Sequence, residues 1–218
     1  MKKRIFVTAT NTDIGKTYTT LLLLKEFASR GLRVGAVKLI ETGVVDIAHD
    51  AELLLKSLKE LNPAFMDINI KDIVPITYHK AAAPYIASKR KPLDLLKLNV
   101  AVQKIEELCD VLIIEGSGGL MVPLDDKYMM IDMIKEFKSS ALLVTHCSLG
   151  CINDTLLSEN ILKDKGIEFL TAFNCRDNDV DFKDISEPYF SQTRQRVLKV
   201  SSNIDTICDV LYNAKLKY

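Results

Sequence analysis

Apolar runs of strand length alternate along this chain with longer stretches of helical periodicity. The run Val111-Leu112-Ile113-Ile114 is continuous rather than interrupted by polar residues, which is typical of a strand covered on both faces of a parallel sheet. Leu21, Leu24 and Phe27 recur at helical spacing, before a glycine that ends the helix. The pattern predicts strands at 5–8, 33–39, 73–78, 110–115, 141–145 and 169–174, and helices at 17–30, 48–61, 93–108, 153–165 and 203–214.

The alternation of strands and helices predicts an α/β fold: one domain over residues 1–218, with a mostly parallel sheet and helices on both faces. A length of 218 residues suits one domain, and no linker or repeat divides the chain. Ligands of such sheets bind beyond the carboxyl ends of the strands. The residues that follow each strand are therefore the first candidates for chemistry.

A phosphate-binding loop follows the first predicted strand. Gly15-Lys16-Thr17 stands between that strand and an amphipathic helix and forms the core of a Walker A loop. Gly15 lets the backbone approach phosphate oxygens, Lys16 can reach the β- and γ-phosphates, and the Thr17 hydroxyl can ligate Mg²⁺. Thr10 stands where the usual pattern has a glycine, and an ordinary helix start with a solvated lysine is the alternative. The placement favours a P-loop NTPase.

Charged residues also end other predicted strands. Lys38 ends the second strand; a surface lysine is the alternative, but beside a phosphate loop a second cation would stabilise a transferring phosphoryl group. Asp50 starts the next helix, where either it or Asp46 can cap the helix and Asp50 can ligate Mg²⁺. Glu115 follows an apolar strand and precedes the glycine-rich residues 116–119, which is the Walker B arrangement.

Two later loops are weaker candidates. Residues 146–153 lead into a helix whose N-terminus can bind an anion, and Asn153 or Asp154 is expected to cap that helix. Asn174 ends a strand, where its amide can read a base edge or simply form a turn. The lone His79 and His146 receive no role.

Composition narrows the class of partner. Lys plus Arg equals Asp plus Glu, 29 each, which argues against nucleic acid or an anionic membrane as a partner. No apolar stretch reaches the ~18 residues of a membrane span, and the apolar start at 5–7 is too short for a signal peptide. A cytoplasmic protein is expected. Five cysteines without a Cys-x-x-Cys pair predict free thiols, with a Cys147–Cys151 redox pair as the minor alternative.

Taken together, the motifs resemble those of the dethiobiotin synthetase family. The resemblance spans residues 5 to about 175, in the order that the family has, and the combination is far more specific than any single motif. The matching segments are 6–17 around the phosphate loop, 38–43 (Lys38, Thr42, Gly43), Asp50-Ala51, Ala83-Pro84-Tyr85, 115–119 and Leu149-Gly150-Cys151-Ile152-Asn153.

The resemblance implies a homodimeric ligase that converts 7,8-diaminopelargonate, CO₂ and a nucleotide triphosphate to dethiobiotin, with Mg²⁺. In that family the diamine captures CO₂ as a carbamate, which attacks the γ-phosphate, and the second amine closes the ring. Lys16 and Lys38 are the implied catalytic residues, and Thr17, Asp50 and Glu115 the implied metal ligands. Nucleotide contacts are implied for Asp13, Ile14, Gly15, Lys16, Thr17, Tyr18, Asp50, Glu115, Gly116, Ser117, Gly118, Asn174 and Cys175. Substrate contacts are implied for Thr42 and, across the dimer interface, for Leu149, Gly150, Cys151 and Asn153.

The sequence departs from the family pattern at three places. Ala9 replaces a glycine, Ser117 replaces an alanine, and residues 198–203 lack the proline of the family's adenine loop. The base preference therefore stays open, with ATP as the family's nucleotide.

Two alternatives share the P-loop. A Min- or Par-type switch ATPase would bind a protein or membrane partner, but it carries a signature lysine where this chain has Asn11. An amide-forming ligase of the cobyrinate type usually carries a glutaminase domain, for which the chain is too short.

Overall fold

Five parallel strands form the central sheet, in a computed structural model that describes residues 2–193 and 196–213. The strands are β1 (Lys3–Ala9), β2 (Val34–Lys38), β5 (Val111–Gly119), β6 (Ser140–His146) and β7 (Phe169–Asn174), and a separate parallel pair is formed by β3 (Ile40–Thr42) and β4 (Ile76–Tyr78). The order across the central sheet is β2-β5-β1-β6-β7, and each neighbouring pair is parallel. The predicted parallel α/β fold is confirmed.

Helices cover both faces of the sheet. Consecutive residues of β1, from Ile5 to Ala9, are all buried, and so are those of β2, which requires apolar cover above and below. Among the described residues, no helix is long and apolar enough to cross a bilayer; the cytoplasmic location stays a prediction. The helices are α1 (Lys16–Ser29), α2 (His49–Leu61), α3 (Ile70–Ile73), α4 (Pro84–Ala87), α5 (Leu95–Glu107), α6 (Met130–Glu136), α7 (Cys151–Asp164), α8 (Phe182–Ile185), α9 (Glu187–Thr193) and α10 (Ile204–Asn213), with a 3₁₀ turn at Pro63–Phe65.

Two predicted strand boundaries are wrong. The strand expected at 73–78 begins only at Ile76, because α3 takes up Ile73. β5 does not end at Glu115 but continues to Gly119, which pairs with Ala9 after an irregularity in the register. Gly118 adopts a φ of 65°, which glycine tolerates, so the chain passes through this irregularity and pairs again at Gly119.

The start of α7 is also corrected. The helix begins at Cys151, after Gly150 in the left-handed region (φ 96°), and neither Asn153 nor Asp154 caps it. Gly150 takes the positive φ that is needed at the N-cap of this helix, so α7 begins before the polar residues that were expected to cap it. The last predicted helix is confirmed to Asn213, whereas its expected final residue, Ala214, lies outside the described residues.

Candidate active site

The carboxyl ends of β1, β2 and β5 meet at a cleft of about 490 Å³. Lys38 of β2 and Glu115 of β5 are partners in register, so their side chains lie side by side. The fold thus brings together residues that stand 77 positions apart in sequence. The cleft is lined by Thr12, Asp13, Gly15, Lys16, Thr17, Lys38, Glu41, Thr42, Asp50, Ser117, Gly118 and Arg176.

The phosphate loop has the geometry of an anion-binding helix start. Gly15 caps α1 in the left-handed region (φ 101°), and a Cβ there would lie 2.1 Å from the Nδ2 of Asn174. Only glycine fits both the angle and the space. α1 begins at Lys16, so the backbone N–H groups of Lys16, Thr17 and Tyr18 lie in its first turn, where they lack helical partners. These donors and the helix dipole favour a bound phosphate.

Glu115 is the buried centre of the site. Its carboxylate has no solvent exposure and accepts hydrogen bonds from Lys38 (2.7 Å), Thr17 (2.8 Å) and Thr20 (2.7 Å). The Lys38 ammonium also donates to Oδ2 of Asp50 at 2.8 Å. A buried carboxylate is tolerated only when its charge is compensated in this way. Lys38 is therefore held between two acidic groups.

The two lysines of the cleft have opposite pKa shifts. Burial lowers the pKa of Lys16 to about 8, and the nearby Lys38 ammonium lowers it further. Burial acts in the same direction on Lys38, but Glu115 and Asp50 outweigh it, so the pKa of Lys38 lies above its usual value. Burial would raise the pKa of Asp50, yet Lys38 holds it below its usual value. Lys38 is thus the firmly charged lysine.

The ligands predicted for Mg²⁺ suit that ion. Asp50 and Glu115 both contact one cation, the Lys38 ammonium, and the Thr17 hydroxyl donates to the same Glu115 oxygen as Lys38. Two carboxylates and a hydroxyl are hard oxygen donors of the kind that Mg²⁺ prefers. Within the described ranges no group of three or more His, Cys, Asp or Glu side chains is arranged to hold a metal ion by itself. A metal here would therefore depend on the hydroxyl, the substrate phosphates and water.

A second cleft of about 440 Å³ adjoins the first and shares Thr12, Asp13 and Arg176 with it. Asn174 lines this second cleft, and its amide donates to the carbonyl of Ile14 at 2.8 Å. The amide oxygen is thereby oriented by a contact to the phosphate loop. Base recognition by Asn174 stays a prediction.

The prediction of free thiols is wrong for two cysteines. Cys147 and Cys175 form a disulfide, with their Cα atoms 4.9 Å apart, whereas Cys151 is a buried free thiol. His146 and Asn174 are partners in register on β6 and β7, so the next residues of both strands are brought together. The pairing follows from strand adjacency that sequence spacing does not reveal. The Cys175 sulfur is bound to Cys147, and the nucleotide contact expected of Cys175 stays a prediction.

Other predicted residues lie outside the main cleft. Leu149 is 87% exposed and Asn153 is exposed, while Cys151 is buried beside Phe173 and Phe190. Only the backbone of Cys151 can then contact a ligand, and the substrate contacts expected in this loop stay a prediction. Tyr18 is half-exposed, Gly116 packs against Phe6, and Gly150 is exposed. Ser117, by contrast, lines the main cleft and donates to the carbonyl of Ile40.

Sequence reasoning missed Glu41, Thr20 and Arg176. Glu41 lines the cleft from β3, Thr20 binds Glu115 from α1, and Arg176 donates to the carbonyl of Asp13. Thr20 was detectable, because it lies three residues after Thr17 on one helical face. The capping of α2 by Asp46 or Asp50 is also wrong: the N-cap is Ala48, and the first-turn amides bind Glu41.

The amino-acid sequence is similar to those of known proteins over most of its length. A family model described as an AAA domain matches residues 3–217. The chain is 42% identical to the ATP-dependent dethiobiotin synthetase BioD of Sulfurovum sp. (strain NBC37-1) over 85% of its own length and 89% of that protein. It is 36% identical to the protein of the same name from Helicobacter pylori (strain J99 / ATCC 700824), over 88% and 90%.

Solved structures support the fold alone. A ParA family ATPase from Chlorobium tepidum TLS superposes with a TM-score of 0.52 at 11% identity, covering 100% of this chain and 95% of that one. At such low identity the likeness extends to the fold and carries no argument about activity.

Proposed function

Because the chain belongs to the family of ATP-dependent dethiobiotin synthetases, ligases of biotin biosynthesis, we propose that it closes the ureido ring of dethiobiotin. The substrates in this proposal are 7,8-diaminopelargonate, CO₂ and ATP with Mg²⁺, and the products are dethiobiotin, ADP and phosphate. The working form is a homodimer in the cytoplasm, as the resemblance implies.

The reaction proceeds in three bond-forming steps. One amine of the diamine adds to CO₂ and loses a proton, which gives a carbamate. A carbamate oxygen attacks the γ-phosphorus while the bond to the ADP oxygen breaks. The second amine attacks the carbamoyl carbon and loses a proton. The bond from that carbon to the phosphate-bearing oxygen breaks, so phosphate leaves with the former carbamate oxygen.

The main task of the protein is to bring two anions together. A carbamate and a triphosphate repel each other, so cations between them lower the barrier by positioning and charge stabilisation. Lys16 binds the β- and γ-phosphates beside the first-turn amides of α1, and Lys38 faces the carbamate. Thr17, Asp50 and Glu115 would hold Mg²⁺, which when bound neutralises phosphate charge. Thr42 lies in the same cleft, where it can contact the diamine.

One observation carries the proposal: Lys38 is 2.7 Å from Glu115 and 2.8 Å from Asp50, in the cleft that Lys16 and Thr17 also line. A P-loop with one lysine serves any nucleotide hydrolase. A second buried lysine beside the predicted metal ligands supports a reaction that joins a further anion to the γ-phosphate.

A phosphate-release assay tests the proposal. Purified protein with Mg-ATP and bicarbonate should release phosphate only when 7,8-diaminopelargonate is added. Lys16→Ala and Lys38→Ala should each lower this release by a factor of at least ~10², the cost of losing one preorganised transition-state contact, and circular dichroism should show that both variants remain folded. Phosphate release that needs no diamine and is stimulated by a protein or lipid partner would support the Min- or Par-type alternative instead.

A further inference from the structure

The first turn of α2 is capped by a side chain from another element. Its N-cap residue is Ala48, which has no side chain to accept a hydrogen bond. The backbone N–H groups of Asp50 and Ala51 donate instead to the two carboxylate oxygens of Glu41, each at 3.1 Å. These are the second and third helical positions, which a Ser or Asp at the N-cap would ordinarily satisfy. Glu41, in β3, thus replaces the local cap.

One of these two amides belongs to Asp50. Its carboxylate contacts Lys38 at 2.8 Å, and Lys38 contacts Glu115 at 2.7 Å. A continuous line of contacts therefore runs from Glu41 through the backbone of Asp50 to the centre of the cleft. Any movement of the first turn of α2 moves the Asp50 carboxylate away from Lys38.

The placement of Glu41 has an electrostatic cost. Only 9% of its surface is exposed, and it lies close to the like-charged Asp50. A serine at position 48 would cap the helix without a second buried carboxylate. Two coplanar oxygens binding two successive amides fix the direction of the helix start more firmly than one hydroxyl does.

We infer that Glu41 is a positioning residue, which holds the first turn of α2 so that the Asp50 carboxylate stays in place for Mg²⁺ and Lys38. The inference rests on the proposed function only in taking Asp50 as a metal ligand. Glutamine at this position offers one acceptor oxygen and turns an NH₂ donor toward the other N–H group. The substitution therefore breaks the two-point attachment without changing the size of the side chain.

Calorimetry of ADP binding tests the inference, with and without Mg²⁺ and with no diamine present. Glu41→Gln should reduce the Mg²⁺-dependent gain in ADP affinity roughly tenfold, the loss typical of outer-shell changes at metal sites. ADP affinity without Mg²⁺ should stay unchanged, because the phosphate loop is untouched. The readout remains valid even if 7,8-diaminopelargonate proves not to be a substrate, so the two failures can be told apart.

The matched control removes a cap elsewhere. Asp94 is the N-cap of α5, where its side chain accepts from the amide of Lys97 at 2.9 Å. Asp94→Ala should lower the thermal midpoint and leave the Mg²⁺ dependence at the wild-type value. If Asp94→Ala weakens Mg²⁺-dependent binding as much as Glu41→Gln does, the effect is general destabilisation and the inference is overturned.

A double mutant asks whether Glu41 acts through Asp50. Asp50→Asn alone should weaken Mg²⁺-dependent ADP binding, and adding Glu41→Gln should cause little further loss, because both changes remove the same contact. Fully additive losses would contradict the inference. Should Glu41→Gln not fold, Glu41→Asp, which keeps the charge but is one methylene shorter, replaces it in each comparison. If the Glu41 variant gains as much ADP affinity from Mg²⁺ as the wild-type protein does, the inference is likewise overturned.

Discussion

At the scale of single residues, the surroundings of two lysines with the same formal charge shift their pKa values in opposite directions. Lys16 lies buried with the carbonyl of Asn11 as its hydrogen-bond acceptor, at 3.2 Å, and its pKa is lowered to about 8. Lys38 lies between Glu115 and Asp50, which keep its pKa above the usual value. Lys16 therefore titrates close to working pH, whereas Lys38 stays an ammonium ion.

This difference predicts the alkaline pH dependence of nucleotide use. The charged form of Lys16 binds the triphosphate, and its pKa in the free enzyme is about 8, so kcat/KM for ATP should fall as pH rises through that value. Well above this pKa, kcat/KM for ATP should fall by at most about tenfold for each pH unit. In the complex the phosphates stabilise the ammonium, so kcat should fall only at higher pH.

Steady-state kinetics between about pH 6.5 and 9.5 would measure this dependence. Lys16→Arg supplies the control, since a guanidinium stays charged throughout that range; any activity it retains should lack the alkaline limb. A wild-type kcat/KM that remains flat to pH 9.5, or the same limb in the arginine variant, would contradict the assignment.

At the scale of elements, the hydrophobic periodicity of the sequence predicted the strands and helices whose formation depends on burying an apolar surface. The apolar runs of β5, β6 and β7 and the stripes of α1, α2 and α5 were predictable, because each buries a continuous or a helically spaced apolar surface. Short elements such as α6 and α8 were missed, since four to seven residues give too few repeats to reveal a period.

Contacts between distant elements could be predicted only where parallel strands bring their carboxyl ends to one edge of the sheet. Lys38 and Asp50 were candidates because each follows a strand or starts a helix, but the role of Glu41 depends on β3 lying beside the first turn of α2. The Cys147–Cys175 pair depends in the same way on β6 lying beside β7. Such adjacency belongs to the sheet order, which local patterns do not specify.

The disulfide between the loops after β6 and β7 can be checked by counting thiols. Unfolded under non-reducing conditions, the protein should react with three equivalents of thiol reagent, at Cys109, Cys151 and Cys208, and with five after reduction. Closing a loop with a sequence separation of 28 residues stabilises the fold by about 3.6 kcal/mol in the chain-entropy account. Reduction should therefore lower Tm by about 7–14 °C.

Cys147→Ser is the matched variant for this measurement. It should expose four thiols in the presence or absence of reductant, and its Tm should not respond to reductant. Five reactive thiols in the unreduced wild-type protein would show that the pair is not formed in solution.

At the scale of the whole molecule, the order of strands explains why the chemistry lies where it does. β1 and β2 flank β5, so the phosphate loop, Lys38 and Glu115 reach the same edge of the sheet from three separate parts of the chain. Asp50, the predicted metal ligand, is added by α2, whose first-turn amides bind Glu41. The proposed reaction requires this edge to hold a carbamate against the γ-phosphate.

Oxygen-18 transfer tests that requirement most directly. With ¹⁸O-labelled bicarbonate, Mg-ATP and 7,8-diaminopelargonate, and short reaction times that limit exchange with water, mass spectrometry of the released phosphate should find one ¹⁸O atom per phosphate formed. Attack by a carbamate oxygen on the γ-phosphorus leaves that atom in the phosphate. Phosphate that instead takes its new oxygen from solvent water, or that is released equally fast without the diamine, would contradict the account.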